Sequence, residues 1–307
     1  MNQPRLSGFL AAAHTPFHPD GGLDVSAVEK QAAHLLAHQV PGVFIMGTTG
    51  ECHSLSREER LALIERWMAV TRNTVLPVVV HVGANCLGDA QALAAAAQQQ
   101  GAAGIAALPP SYYKPADVST LVACMAEIAA AAPKTPFYYY DIPAMTGVDL
   151  PMAEFLERGA ERIPTLAGLK FSNSDLMTLQ RCLRVERGRF AVFWGSDESL
   201  LAALALGATV AVGSTYNFAA PIYHRLLKAH TTGDHAAAQE EQFRSVRLVE
   251  CLAATPGGFL SASKALMGLL RVPLGPVRLP LVNLTPEQVD QLRRQLEALG
   301  FFEWISR

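Results

Sequence analysis

Lys170 stands inside the apolar run Leu166-Ala167-Gly168-Leu169-Lys170-Phe171. A lysine on a buried strand is desolvated, which disfavours the ammonium and supplies the free amine needed to attack a carbonyl and form a Schiff base. The bland alternative is a strand-end lysine that reaches solvent or pairs with a carboxylate. Tyr140 ends Phe137-Tyr138-Tyr139-Tyr140, directly before Asp141-Ile142-Pro143. Beside a lysine, a hydroxyl or a substrate carboxylate, a phenol can relay protons between oxygen and carbon. Strand alternation sends neighbouring rings in opposite directions, so part of this aromatic group serves the core in any case.

Gly47-Thr48-Thr49-Gly50 places two hydroxyls between two glycines at a strand-to-helix turn. Its N–H groups and hydroxyls suit a small carboxylate, although a turn that simply needs glycine reads the same way. Several other chemistries lack their signatures. The nine histidines include His34 and His38 on one helix face, but no His-Glu-x-x-His pattern accompanies them. The chain contains no Gly-x-Gly-x-x-Gly fingerprint and no Gly-x-Ser-x-Gly elbow. Cys52, Cys86, Cys124, Cys182 and Cys251 are odd in number and widely spaced, as expected of reduced thiols in the cytosol.

The elements that must position these residues follow a repeated order of short apolar strand, polar turn and amphipathic helix. Eight candidate strands lie at 8–13, 42–46, 76–82, 104–108, 136–140, 166–171, 190–194 and 209–213. Candidate helices at 24–39, 56–70, 87–100, 117–131, 150–159, 175–185 and 197–206 separate them, several opened by Asp or Ser. Eight units averaging about 27 residues fit a closed (β/α)8 TIM barrel, an α/β fold, better than an open sheet. Helices at 219–231, 234–253, 259–269 and 286–298 follow. The expected organisation is a catalytic barrel over 1–217 and a C-terminal helical extension over 218–307. The alanine runs at 94–97 and 129–132 fit closely packed helix faces.

Active sites of such barrels form at the C-terminal ends of the strands. That rule selects the turn 47–51, His81 and Gly83, Pro109-Pro110 with Tyr112-Tyr113, and Tyr140-Asp141. Beyond them it selects Lys170, Gly195-Ser196-Asp197-Glu198 and Gly213-Ser214-Thr215.

The 307 residues include 25 Lys+Arg against 27 Asp+Glu, with 17% charged and 50% hydrophobic. This is an ordinary globular composition, unlike that of a disordered chain, a collagen or a small disulfide scaffold. Scattered charge leaves no field for nucleic-acid phosphates. No apolar run reaches the roughly 18 residues of a membrane span, and MNQPRLSG lacks signal-peptide order. The expectation is a soluble, cytoplasmic protein.

Gly47-Thr48-Thr49-Gly50-Glu51, Tyr140-Asp141-Ile142-Pro143-Ala144-Met145-Thr146-Gly147, Gly168-Leu169-Lys170 and Gly213-Ser214-Thr215-Tyr216-Asn217 form a set. In order and spacing it resembles the N-acetylneuraminate lyase and dihydrodipicolinate synthase superfamily of pyruvate-dependent class I aldolases, over nearly the whole chain. The resemblance implies a (β/α)8 barrel with a C-terminal helical bundle, assembled as a homotetramer built from two dimers. It implies that Lys170 forms the Schiff base, Tyr140 relays the proton, and Thr48 and Thr49 hold the pyruvyl carboxylate, with Thr48 also linked to the tyrosine hydroxyl.

Met145 stands where the synthases carry an arginine for an aldehyde's carboxylate, and a thioether cannot replace that clamp. Ser172, Gly195, Asp197, Glu198 and Ser214 match positions that hold a sugar acid's hydroxylated tail. Tyr112 aligns with an aromatic that some members insert into a neighbouring subunit's site, a task Tyr113 can also fill. The implied reaction is reversible cleavage of N-acetylneuraminate, a sialic acid, to N-acetylmannosamine and pyruvate. It needs no metal or organic cofactor beyond the covalent Schiff base. The alternatives are an aldolase for another 2-keto-3-deoxy sugar acid, or a non-catalytic protein that binds or senses sugar acids.

Overall fold

A computed structural model describes residue 6 and residues 8–306. Most of the N-terminal stretch read for targeting signals therefore lies outside the described residues. Eight parallel strands close into a barrel in sequence order. They are β1 (Gly8–Ala12), β2 (Gly42–Ile45), β3 (Val78–His81), β4 (Gly104–Ala107), β5 (Phe137–Asp141), β6 (Leu166–Phe171), β7 (Ala191–Trp194) and β8 (Val210–Gly213). Helices α1 (Val28–Ala37), α2 (Arg57–Thr71), α3 (Leu87–Gln100), α4 (Val118–Ala130), α5 (Pro143–Thr146), α6 (Met152–Arg162), α7 (Leu176–Arg184) and α8 (Leu200–Ala205) run between the strands. After the barrel come α9 (Ala220–Thr232), α10 (His235–Ala253), α11 (Gly258–Leu269), α12 (Pro286–Leu299) and α13 (Phe301–Ile305).

The strands are apolar on both faces because each face is covered. Phe9, Ala11, Val43, Ile45, Val78, Val80 and Tyr139 belong to the large core between strands and helices. Leu10, Ala12, Phe44, Val79, Ala106, Tyr138, Tyr140, Phe193 and Val212 form a second core cluster inside the barrel. Period-two alternation thus divides the three tyrosines: Tyr138 and Tyr140 turn into the barrel, Tyr139 into the helical layer. Register pairs Lys170 with Tyr140 on one side and Phe193 on the other, which places its side chain in the same inward layer.

Local chemistry sets the helix ends. Ser56 and Glu59 form a reciprocal capping box at α2, and Thr285 with Gln288 repeats it at α12, where Pro286 occupies the first turn. Asp117, Asp175 and Asp234 cap α4, α7 and α10. Ala90, Ala94 and Ala97 are buried along α3, the close approach expected of an alanine face. The 24–39 and 197–206 segments each begin as a 3-10 turn before turning α-helical, and α6 starts only after Pro151. Sequence patterning passed over α5 and α13, which are too short to show a helical period. No described helix is long and apolar enough to cross a membrane.

Candidate active site

The strand ends surround a cavity of about 250 Å³. Its walls include Thr48, Thr49, Tyr140, Lys170, Ser172, Gly195, Asp197, Glu198 and Ser214, so every residue to which the family resemblance gives a site role, except Tyr112, faces one space. Lys170 lies at the floor, 5% exposed. Its Nζ is 3.7 Å from the Tyr140 ring centroid and 5.1 Å from that of Phe44. Ion pairs among the described residues all lie elsewhere, which removes the alternative of a strand-end lysine paired with a carboxylate.

Two hydroxyl pairs join the barrel's sides. Thr48 Oγ1 is 3.1 Å from the Tyr140 hydroxyl, linking the end of β2 to β5. Thr49 Oγ1 and Ser214 Oγ are 2.6 Å apart, linking β2 to β8. Neither glycine of the 47–50 turn has a positive φ; each is needed for space. A Cβ on Gly50 would stand 2.9 Å from the Met46 backbone, and one on Gly47 2.7 Å from the Phe44 ring. The left-handed residues flank the turn, Met46 at φ 56° before it and Glu51 at φ 54° after it.

The opposite wall is polar and incompletely satisfied. Asp197 Oδ2 accepts from the Thr215 amide at 2.8 Å and from its hydroxyl at 2.6 Å, while Oδ1 is buried without a protein partner. Burial pushes this carboxyl up to about 6, against the downward pull of the Thr215 donors. Ser172 Oγ is likewise buried and unpartnered. The Asp197 carboxylate rests where a Cβ on Gly213 would be, and Ser172 Oγ where one on Gly195 would be. These glycines admit polar side chains from neighbouring segments. A wall with unspent acceptors and donors suits a hydroxylated ligand.

Other strand-end residues serve the fold. His81 Nδ1 lies 2.8 Å from the Met46 carbonyl, and its Nε2 accepts from the Leu108 amide. Burial first, then the charge of Arg60, holds this imidazole well below its usual range. Asp141 points away from the cavity into the helical layer, and Glu51 forms a buried ion pair with Lys264. Met145 is 67% exposed and does not line the cavity. Tyr112 and Tyr113 are 76% and 86% exposed, pack edge to face, and also lie outside the cavity.

Val249 of α10 and Phe259 of α11 complete the cavity wall. Sequence reasoning missed both, because a rule based on strand ends carries no information about helices that return to the barrel mouth. All five cysteines are free thiols. Among the described residues, no group of three or more His, Cys, Asp or Glu is placed to hold a metal ion.

Comparison with known proteins agrees with this geometry. Residues 5–299 match the profile of the dihydrodipicolinate synthetase family. The N-acetylneuraminate lyase of Gallus gallus is 39% identical over 297 residues, covering 96% of both chains. The solved structure of N-acetylneuraminate lyase (sialic acid aldolase) from Aliivibrio salmonicida superimposes with a TM-score of 0.93 at 40% identity, covering 97% of this chain and 98% of that one. A Ruminococcus gnavus sialic acid aldolase, solved as its catalytic lysine mutant, gives a TM-score of 0.91 at 26% identity, covering 98% of each chain. Barrel, cavity and near-full-length similarity converge: the chain belongs to the dihydrodipicolinate synthetase family.

Proposed function

We propose that the chain is a carbon–carbon lyase that reversibly cleaves N-acetylneuraminate to N-acetylmannosamine and pyruvate through a Schiff base on Lys170. The observation that carries this reading is the juxtaposition of Lys170 Nζ with Tyr140, whose hydroxyl reaches Thr48, beneath a wall bearing unsatisfied polar atoms.

The Lys170 amine adds to the C2 ketone of the open-chain sugar acid, and loss of water leaves an iminium that serves as the electron sink. Thr48 and Thr49 hold the adjacent carboxylate. Tyr140 takes the C4 hydroxyl proton as it gives up its own toward Thr48 and that carboxylate. The C3–C4 bond breaks, its electrons move into the enamine, and the C4 aldehyde departs as N-acetylmannosamine. Protonation at C3 regenerates the iminium, and water releases pyruvate and the free amine. Ser172, Asp197, Glu198 and Ser214 meet the substrate hydroxyls, and Gly195 leaves room for Ser172. A site built to pair with hydroxyls discriminates strongly against analogues lacking them. The electron sink is the covalent Schiff base, so the sequence of steps calls on no metal or organic cofactor.

Residues 1–217 are assigned to the catalytic barrel and 218–307 to a helical extension that closes one side of the site. The working assembly is a homotetramer of two dimers in the cytoplasm, with Tyr112 extending toward a neighbouring site.

The test is borohydride reduction with pyruvate, followed by peptide mapping, on wild type and Lys170→Ala. Labelling of the Lys170 peptide in the wild type, lost in the variant, is expected; label on another residue sinks the mechanism. A product assay then compares N-acetylneuraminate with 2-keto-3-deoxy sugar acids lacking the acetamido group. Turnover of those acids alone would overturn the substrate assignment.

A further inference from the structure

Outside the cavity lies a buried charge cluster that the chemistry does not use. Lys264, on α11, is almost completely enclosed and donates to Glu51 Oε1 at 2.7 Å and to the Pro276 carbonyl at 2.7 Å. The other Glu51 oxygen accepts from the Arg278 amide at 2.9 Å. Both cations face one aromatic ring, with Lys264 Nζ 4.3 Å and Arg278 Cζ 4.1 Å from the Phe17 centroid. The Arg278 guanidinium also reaches the Ser54 carbonyl and the Glu59 carboxylate.

Glu51 closes the turn that carries Thr48 and Thr49, and it does so in a left-handed conformation that a side chain adopts only when its surroundings hold it there. Its amide bonds back to the Thr48 carbonyl at 3.0 Å. Thr15 grips the preceding Gly50 carbonyl at 2.6 Å. Lys264 does not line the cavity; its route to the site is the Glu51 carboxylate.

We infer that Lys264 is a positioning residue for the reaction: by clamping Glu51 from the helical extension, it sets the turn that presents Thr48 and Thr49 to the substrate carboxylate. The inference rests on the functional reading above. Removing one partner of a buried ion pair leaves the other charge uncompensated, so the strain falls on Glu51 and its turn. Carboxylate binding is used in the ground state and the transition state alike, so its loss appears in KM, while the link from Thr48 to Tyr140 adds a smaller effect on kcat.

The experiment measures the pyruvate concentration that half-saturates borohydride trapping, together with kcat and KM for N-acetylneuraminate, in the full chain. Lys264→Met is expected to raise half-saturating pyruvate and KM by about tenfold or more, with a smaller fall in kcat through the Thr48 link to Tyr140. Adding Glu51→Gln removes the stranded charge while keeping an acceptor for the Arg278 amide, and is expected to recover part of the loss. Glu241→Gln is the control. It removes the carboxylate that pairs with Arg225 of α9 and Arg244 of α10, outside the cavity wall, and is expected to leave pyruvate saturation unchanged. Unchanged saturation in a folded Lys264→Met protein overturns the inference, as does an equal rise in the control. If Lys264→Met does not fold, Glu51→Gln alone decides: a raised half-saturation supports the clamp and an unaltered one refutes it. A wild type that forms no pyruvate adduct at Lys170 overturns the functional reading itself, and the clamp with it.

Discussion

Asp141 and Tyr140 are neighbours in sequence with opposite fates. Tyr140 turns into the cavity, whereas Asp141 is buried in the helical layer, where Asn173 Nδ2 at 3.5 Å is its hydrogen-bond donor. Burial, with a smaller contribution from the negative charge of Asp149, pushes this carboxyl up to about 7. The folded protein therefore retains a proton there that the unfolded chain releases near pH 4. The resulting stability is complete below the unfolded value, is lost as pH rises toward 7, and changes no further above it. Asp141→Asn removes the ionisation, so the variant gains on wild type by up to roughly 4 kcal/mol above pH 7 and little near pH 4. Urea unfolding of both proteins at the two ends of that range checks this; an equal difference at both would refute it. Lys170 and Tyr140 were legible in the sequence as polar groups at inward-facing strand ends, while strand context alone left core packing open for each and the family resemblance supplied the roles proposed for them. Glu51 and His81 satisfied the same strand-end rule, yet their polar atoms are engaged by Lys264 and by the Met46 carbonyl. Sequence position shows that a polar group sits at a strand end, not which partner it meets there.

The strands could be read at the scale of elements because both of their faces are covered, leaving short apolar runs between turns. Their register then places Tyr140, Lys170 and Phe193 side by side. Val249 and Phe259 were not legible, since their approach to the cavity depends on how α10 and α11 pack on the finished barrel. The close fit between β8 and the segment after β7 gives a sharper test. The Asp197 carboxylate occupies the space a Gly213 side chain would need, and that strand end is backbone that cannot retreat without disturbing β1. Gly213→Ala is expected to displace Asp197, raise KM for N-acetylneuraminate by about tenfold, and cost about 1–3 kcal/mol in stability from overpacking. Pyruvate trapping at Lys170 should persist if the displaced group belongs, as proposed, to a sugar-tail wall rather than to the pyruvyl end of the cavity. Loss of trapping in a folded variant, or an unchanged KM, would contradict that division of the cavity.

The most exposed aromatic pair belongs to the scale of the whole molecule. Tyr112 and Tyr113 pack edge to face on a segment held by Asn85, whose Oδ1 accepts from the Ser111 and Tyr112 amides. Two large rings left this open on a pinned loop, beyond β4 and on the same end of the barrel as the cavity, suit an interface between subunits. If Tyr112 serves a neighbour's site, a subunit defective in Lys170 can lend its tyrosine to one that lacks only the tyrosine. Lys170→Ala and Tyr112→Ala proteins should each be inactive or weak alone, yet a mixture refolded together should recover activity. Random pairing makes half of the dimers hybrid, each with one intact site of two, so recovery should reach roughly a quarter of wild type. Repeating the mixture with Tyr113→Ala identifies which ring reaches across. Sedimentation must show that each variant assembles. Under that condition, a mixture no more active than the average of its parents would mean that each site is complete within one chain.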